Sequence, residues 1–242
     1  MGYTYLISDI HGCADELLEL LDTIHFSSDD TLFVLGDAMD RGPGPIRVIH
    51  ELMQRDNVFY IMGNHDEMFL SVAQKFMVDI NADNIGRLTR KDLLSLSAWS
   101  DNGGTVTMQQ LRKLPNEQRA DIIDYLLSAP HYDTVVHDDK LYVLVHAGID
   151  NFSPDKELDE YDPIDFLWAR ADYGRKYFPG DRIFLVTGHT PTPLIRSDGA
   201  PLVYTENNHI AIDCGCVFGG ALAAYCIETG SITYVRSKRT HF

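Results

Sequence analysis

Gly36-Asp37-Ala38-Met39-Asp40-Arg41-Gly42 follows the apolar run Thr31-Leu32-Phe33-Val34-Leu35 and leads through Pro43 into an apolar periodic segment beginning at Ile46. The run reads as a buried strand and the periodic segment as a helix. Two aspartates and an arginine are thereby packed into one tight strand-to-helix loop. In open α/β sheets ligands bind at such loops, outside the carboxyl ends of the strands. Two carboxylates this close repel each other unless something positive sits between or beside them. A metal ion or a phosphate-binding arginine is the natural partner, and Arg41 is already in the loop.

The same design occurs on either side. Tyr3 to Ser8 reads as a strand, Asp9-Ile10-His11-Gly12 as its loop, and Ala14 to Ile24 as a helix with Leu17, Leu18, Leu20 and Leu21 at helical spacing. On an extended segment Asp9 and His11 point to one side, because the period is two. Val58 to Met62 is a third strand, Gly63-Asn64-His65-Asp66 its loop, and Glu67 begins the next helix. Three such units in a row predict a largely parallel sheet whose polar loops gather at one edge.

Residues from about 76 to 129 read as a helical insertion or cap, with amphipathic stretches at Lys91–Trp99 and Glu117–Leu127. The turn Trp99-Ser100-Asp101-Asn102-Gly103-Gly104 admits two readings, a helix-ending loop with glycine caps or a substrate-facing loop. Asp133–Val136 is a strand, His137-Asp138-Asp139-Lys140 a hairpin turn, and Leu141–Val145 a buried strand ending in His146-Ala147-Gly148. Asp150 to Asp162 is an acidic surface loop. Arg170 closes an aromatic-rich stretch and suits either a surface salt bridge or a phosphate. Ile183–Thr187 is another buried strand, followed by Gly188-His189. Beyond Pro201 the chain is β-rich, with strands at Ile210–Asp213, Ala221–Ile227 and Ile232–Val235, and is expected to form a second sheet packed on the first.

With 242 residues, 45% hydrophobic and no break in composition, residues 1–242 are expected to form a single domain. The net charge of -16 argues against nucleic acid as the main partner. It does not exclude a phosphorylated substrate, since metals or a local cation cluster reverse the field. The amino terminus lacks a signal-peptide pattern. No stretch reaches the roughly 18 uninterrupted apolar residues of a membrane span, so no membrane partner is expected. Cys13, Cys214, Cys216 and Cys226 make no disulfide framework, and a cytoplasmic location with reduced thiols is expected. Cys214 and Cys216 flank one glycine and could ligate a metal or simply fill space near a turn.

Asp9, His11, Asp37, Asp40, Arg41, Asn64, His65, His146 and His189 are the polar residues at strand ends. Carboxylate, imidazole and amide suit hard or borderline divalent metals. Six candidate ligands are too many for one ordinary metal and fit two with a shared carboxylate. Two metals about 3.5–4 Å apart clamp a phosphate and lower the pKa of a bridging water. His65, if not a ligand, is free to protonate the leaving oxygen, with a nearby carboxylate fixing its tautomer. Arg41 would grip non-bridging oxygens through its planar fork.

Asp9-Ile-His11-Gly, Gly36-Asp37-x-x-Asp40-Arg41-Gly42, Gly63-Asn64-His65-Asp66, His146-Ala-Gly and Gly188-His189, in this order, resemble the phosphoprotein phosphatase family of metallophosphoesterases, especially its compact bacterial and phage-type members. The resemblance implies an α/β fold, a four-layer α/β/β/α sandwich. It implies Asp9 and His11 on a first metal, Asp37 bridging, and Asn64, His146 and His189 on a second. It makes His65 the general acid, Asp40 its orienting partner, Arg41 and Arg170 the phosphate-binding arginines, and Asn102 a substrate contact. The two divalent ions would be manganese in vitro, although iron, zinc and cobalt accept the same ligands. Met62 stands where many family members carry arginine, Asp66 where they carry glutamate, and Ala147 where they carry glycine.

Three functions follow. The first is a serine/threonine protein phosphatase acting on a phosphorylated protein or peptide. The second is a symmetrical dinucleoside polyphosphate hydrolase, whose members share Arg-Gly-Pro and Gly-Asn-His-Asp. These usually lack a carboxylate at the position of Asp40, which favours the first. The third is a non-catalytic scaffold, disfavoured because His65 and all six candidate ligands are present.

Overall fold

A computed structural model describes residues 2–76 and 89–239, with the backbone alone for 74–76. The first sheet contains β1 (Thr4–Ile7), β2 (Thr31–Leu35) and β3 (Val58–Ile61), all parallel. The crossovers are α1 (Ala14–Thr23) and α2 (Pro45–Met53), and α3 (Asn64–Phe76) leaves the third strand. Pro45 opens α2, where a missing N–H is harmless and the fixed φ suits the first turn.

Asn64 and His65 were expected in a loop, but α3 starts at Asn64. The Asp66 carboxylate reaches back to the Gly63 N–H at 2.9 Å. Such a back-reaching acidic side chain satisfies an orphan donor and begins the helix early.

The insertion comprises α4 (Arg90–Trp99), α5 (Thr105–Leu111) and α6 (Asn116–Leu127), with a π-turn at Ser100–Gly104 joining the first two. Its expected stretch from 77 to 88 lies outside the described residues. The second sheet begins with the antiparallel hairpin β4 (Tyr132–His137) and β5 (Lys140–Val145). Asp138 and Asp139 both take positive φ, 46° and 59°, as a two-residue turn matching strand twist requires.

The carboxyl-terminal region does not form a sheet of its own. β6 (Ile183–Thr187), β7 (Tyr204–Glu206) and β8 (His209–Ala211) complete the second sheet in the order β4-β5-β6-β8-β7. β9 (Ala221–Cys226) and β10 (Ile232–Arg236) return to the first, in the order β10-β9-β1-β2-β3. An apolar run reports burial but not its pairing partner, so the sequence could not assign these strands to a sheet.

Side-chain alternation makes the sandwich. Ile7, Val34 and Tyr60 face the helices, while Leu6, Phe33, Leu35 and Ile61 meet Tyr142, Leu144, Val186 and Ile210 between the sheets. Val143, Val145 and Leu185 face a fourth layer holding Ile149, Tyr161, Phe166 and Tyr177. Short 3₁₀ turns at Leu158–Glu160 and Pro163–Phe166 lie in that layer. No helix among the described residues is long and apolar enough to cross a membrane. The parallel strands β1, β2 and β3 of one sheet and β5, β6 and β8 of the other all deliver polar residues just past their carboxyl ends.

Candidate active site

The loops after β1 and β2 are zipped together by backbone bonds from Asp9 N–H to Gly36 O, His11 N–H to Asp37 O and Gly12 N–H to Ala38 O. Asp9 and His11 were expected to converge through strand alternation. Instead both take positive φ, 49° and 45°. Of twelve positive-φ residues other than glycine among those described, six are Asp9, His11, Asp37, Asp40, Arg41 and His189. Each such conformation costs about 1 kcal/mol or more, and such strain collects where function fixes the geometry.

Asp37 is the hub. Its Oδ2 lies 3.4 Å from His11 Nε2 and 3.5 Å from His146 Nε2, and its Oδ1 accepts from the His65 backbone N–H at 3.0 Å. Asn64 Oδ1 is 2.8 Å from His146 Nε2 and 3.0 Å from His189 Nδ1. Asp9 Oδ2 accepts from the His189 backbone N–H at 2.8 Å. Side-chain donor atoms of His11, Asp37 and His65 form one compact group, and those of Asp37, His146 and His189 another. A Cβ at Gly63 would overlap the Asp37 carboxylate and one at Gly188 the Asp9 carboxylate, so both glycines are needed for the carboxylates to sit there.

These residues fit divalent cations. His11 and His146 each donate Nδ1–H to a backbone carbonyl, of Met39 and Leu35, at 2.8 Å. In its neutral form each ring then turns an Nε2 lone pair toward Asp37, the arrangement typical of metal-binding histidines. Acceptors then face acceptors, and the buried Nε2 atoms of His65 and His189 have no hydrogen-bond partner among the described residues. Burial pushes the Asp9 carboxyl up to about 6, aided by the Asp37 charge and opposed by His146. Burial also disfavours the Asp37 carboxylate, but the imidazoles of His146, His65 and His11 hold its pKa below the usual range. Burial and the His146 charge push His189 down to about 3, and burial with Arg41 and His65 lowers His11. Burial opposes a charge on His146, yet Asp37 and Asp9 raise its pKa.

His65 lies at the edge of this cluster with its Nδ1–H donating to Asp40 Oδ2 at 2.8 Å. Asp40 is wholly buried and also accepts from Trp99 Nε1–H at 2.8 Å and Thr107 O–H at 2.6 Å. The turn that Trp99 opens is singled out in the sequence, but the contacts of Trp99 and Thr107 with Asp40 are not legible there, because they span 59 and 67 residues into the insertion. Asp66, which stands where many family members carry glutamate, has a structural part that the sequence does not show. Its Oδ2 accepts from Tyr60 O–H at 2.7 Å, Gly63 N–H at 2.9 Å and Asp37 N–H at 3.2 Å, and so ties β3 to the loop after β2. Asp213 was also missed, although it follows β8 as the other site residues follow their strands. It is buried and accepts from Gly215 N–H at 2.8 Å.

Arg41 was expected to be free for phosphate. Here its Nη1 donates to His11 Nε2 at 2.7 Å and its guanidinium lies 5.4 Å from the Phe218 ring centroid. In a cluster of acceptors a guanidinium turns to the nearest lone pair. Arg170 is exposed and donates to Thr190 Oγ1 at 2.9 Å, one residue beyond His189. Asn102 does not join the cluster: it is exposed, and its amide donates to Ala98 O, one turn back, at 2.8 Å. The turn carrying it nevertheless supports the site, because Gly103 O accepts from Arg41 N–H at 3.1 Å. Met62 packs into the core and supplies no charge. Cys214 is also buried, its thiol pushed up to about 12 by burial, and Cys216 groups with Cys13 and Glu16 rather than with the histidines.

A model of the calcineurin-like phosphoesterases matches residues 3–224. The chain belongs to that family. Among calcineurin-like phosphoesterases it is 30% identical to the asymmetrical bis(5'-nucleosyl)-tetraphosphatase of Halalkalibacterium halodurans, over 90% of this chain and 87% of that protein. It is 26% identical to the symmetrical bis(5'-nucleosyl)-tetraphosphatase of Baumannia cicadellinicola, over 98% and 93%. A crystal structure provisionally assigned as a diadenosine tetraphosphatase superposes with a TM-score of 0.66 at 22% identity, covering 99% of this chain and 95% of that one. The last likeness shows the fold alone.

These relatives overturn a phosphorylated protein or peptide as the expected partner, since both full-length matches are named for dinucleoside tetraphosphates. The inference from Asp40 fails for a physical reason. Asp40 touches His65, Trp99 and Thr107, so its contacts bear on the imidazole rather than on what distinguishes one phosphoester from another.

Proposed function

We propose that this enzyme hydrolyses a phosphoanhydride bond of dinucleoside polyphosphates, with bis(5'-nucleosyl) tetraphosphate as the representative substrate. The observation that carries the chemistry is the buried His65–Asp40 pair set against the Asp37-centred cluster of acceptors. The choice of substrate rests on the two relatives that match over nearly their whole length.

Two divalent cations would be held by Asp9, His11, Asp37, Asn64, His146 and His189, with Asp37 shared. Manganese is the ion proposed for assay, as carboxylate, amide and imidazole suit it. When bound they would supply Lewis acidity toward the phosphate oxygens and lower the pKa of a water nucleophile. The protein's own groups do the rest. The backbone carbonyls of Met39 and Leu35 hold the rings of His11 and His146 with their lone pairs inward. Asp40 fixes the His65 ring through Nδ1, leaving Nε2 to pass a proton to the departing phosphate oxygen. Arg41 has a choice of acceptors. With the His11 lone pair otherwise engaged, its fork turns to non-bridging oxygens, and Arg170 approaches the same anion from the His189 side.

The test is chromatography of the products when manganese-loaded protein meets bis(5'-adenosyl) tetraphosphate and, separately, a phosphothreonine peptide. Mononucleotide release with kcat/KM about a hundredfold or more above that for the peptide is expected. The position of cleavage is read directly: two diphosphates mean a symmetrical cut, a mono- and a triphosphate an asymmetrical one. A preference for the peptide would overturn the reading.

A further inference from the structure

An open groove of about 630 Å³ adjoins the candidate active site, lined chiefly by Pro191, Pro193, Leu194, Gly215, Phe218 and Arg236. Its volume lies within the range of small-molecule sites, roughly 300–1,000 Å³. Two of its lining residues lie beside the cluster. Pro191 lies two residues beyond His189, and the Phe218 ring faces the Arg41 guanidinium at 5.4 Å.

Three features describe what it would take. The first is the make-up of its walls. Proline rings and Phe218 form the walls, and the Gly215 backbone at φ 69° leaves a wall without a side chain. The second is exposed apolar surface: Phe218 is 50% exposed and Leu194 77% exposed. The third is charge. Acidic residues outnumber basic ones 36 to 20 in this chain, yet among the described residues the groove lining contains no carboxylate and one arginine. Arg236 makes no ion pair among the described residues. An apolar trough without carboxylates in its lining, beside the proposed phosphate site, suits an aromatic base tethered to phosphates.

We propose that this groove seats one nucleoside of the substrate, with its base on the Phe218 ring. This rests on the reading of the enzyme as a dinucleoside polyphosphate hydrolase and adds the residues that distinguish a nucleotide from a bare polyphosphate. A base has a π-face whatever its identity, so the groove favours nucleosides in general over any one base.

Two measurements test it. The first compares kcat/KM for bis(5'-adenosyl) tetraphosphate with that for inorganic tetraphosphate in wild type, Phe218→Ala and Leu194→Glu. Both side chains are exposed enough for the variants to fold. In Phe218→Ala the ratio is expected to fall about tenfold to a hundredfold, as loss of one base–aromatic contact does, and in Leu194→Glu, which puts a carboxylate against the base and its phosphates, by about tenfold or more. A ratio within twofold of wild type in both variants overturns the groove while leaving the hydrolase reading intact. The second needs no turnover. The Leu194 methyl resonances are followed by NMR as adenosine diphosphate or inorganic pyrophosphate is added. Shifts with the nucleotide and not with pyrophosphate are expected. No shift, or equal shifts with both, overturns the proposal even if the enzyme cleaves neither tetraphosphate, an outcome that by itself would remove only the hydrolase reading.

Discussion

Trp99 donates its indole N–H to Oδ2 of Asp40 at 2.8 Å, the same oxygen that receives the His65 imidazole N–H at 2.8 Å. The helical insertion is therefore joined to the proposed general acid through one buried carboxylate. Trp99 is 2% exposed and packs on Phe69 with ring centroids 5.5 Å apart. Trp99→Phe keeps most of that packing and removes the donor. It is expected to lower kcat about tenfold and destabilise the fold by about 1–2 kcal/mol, with unchanged metal content. The diagnostic readout is the pH–rate profile, which should move. An unmoved profile with a lower Tm would make Trp99 a packing residue only.

Asp66 is expected to be the scaffold's most sensitive polar residue. Asp66→Ala strands three donors, the Tyr60 hydroxyl and the N–H groups of Gly63 and Asp37. Leaving a buried donor unsatisfied costs about 1–3 kcal/mol, so a loss of several kcal/mol in urea unfolding is predicted. Metal affinity should fall with it, because Asp37 loses its anchor. A stable variant with wild-type metal content would contradict this role.

Metal loading should depend steeply on acid. Burial raises the Asp9 carboxyl to about 6, and Asp37 with Asp9 raises His146. Below about pH 6 both groups hold protons that a cation must displace. Apparent affinity is expected to drop about tenfold or more per pH unit there. Calorimetric titration of metal-free protein with manganese at pH 5 and pH 7.5 checks this, and equal affinities would refute it.

The strand-end loops and their metal-type residues were legible because each follows a short apolar run and carries glycine. Period and composition suffice for that. The pairing of β9 and β10 with β1 was not legible, since an apolar run does not name its neighbour. The positive φ of Asp9 and His11 was hidden because only the fold forces it. Trp99 and Thr107 reach Asp40 across 59 and 67 residues, and local patterns carry no trace of such a contact. Asp213 obeys the same strand-end rule as the others and was readable.

Stability should also sense acid at a point away from the cluster. Burial lowers His209 from an ordinary 6.5 to about 4, beneath the stacked ring of Tyr173. The unfolded chain thus takes up its proton at a higher pH than the folded one. The stability tied to a neutral His209 is complete above pH 6.5 and is lost as pH falls toward 4, by about 3 kcal/mol. Urea unfolding of wild type and His209→Gln at pH 7 and pH 4 measures the difference. A gap between them that does not change with pH would contradict it.

The most direct measurement is the kcat/KM of manganese-loaded wild type and His65→Asn on bis(5'-adenosyl) tetraphosphate, with bound metal counted in both. Wild type is expected to release mononucleotides, and the variant to do so about 10²-fold more slowly or worse with the same metal content. No nucleotide from metal-loaded wild type, or equal rates from the two proteins, would contradict the account.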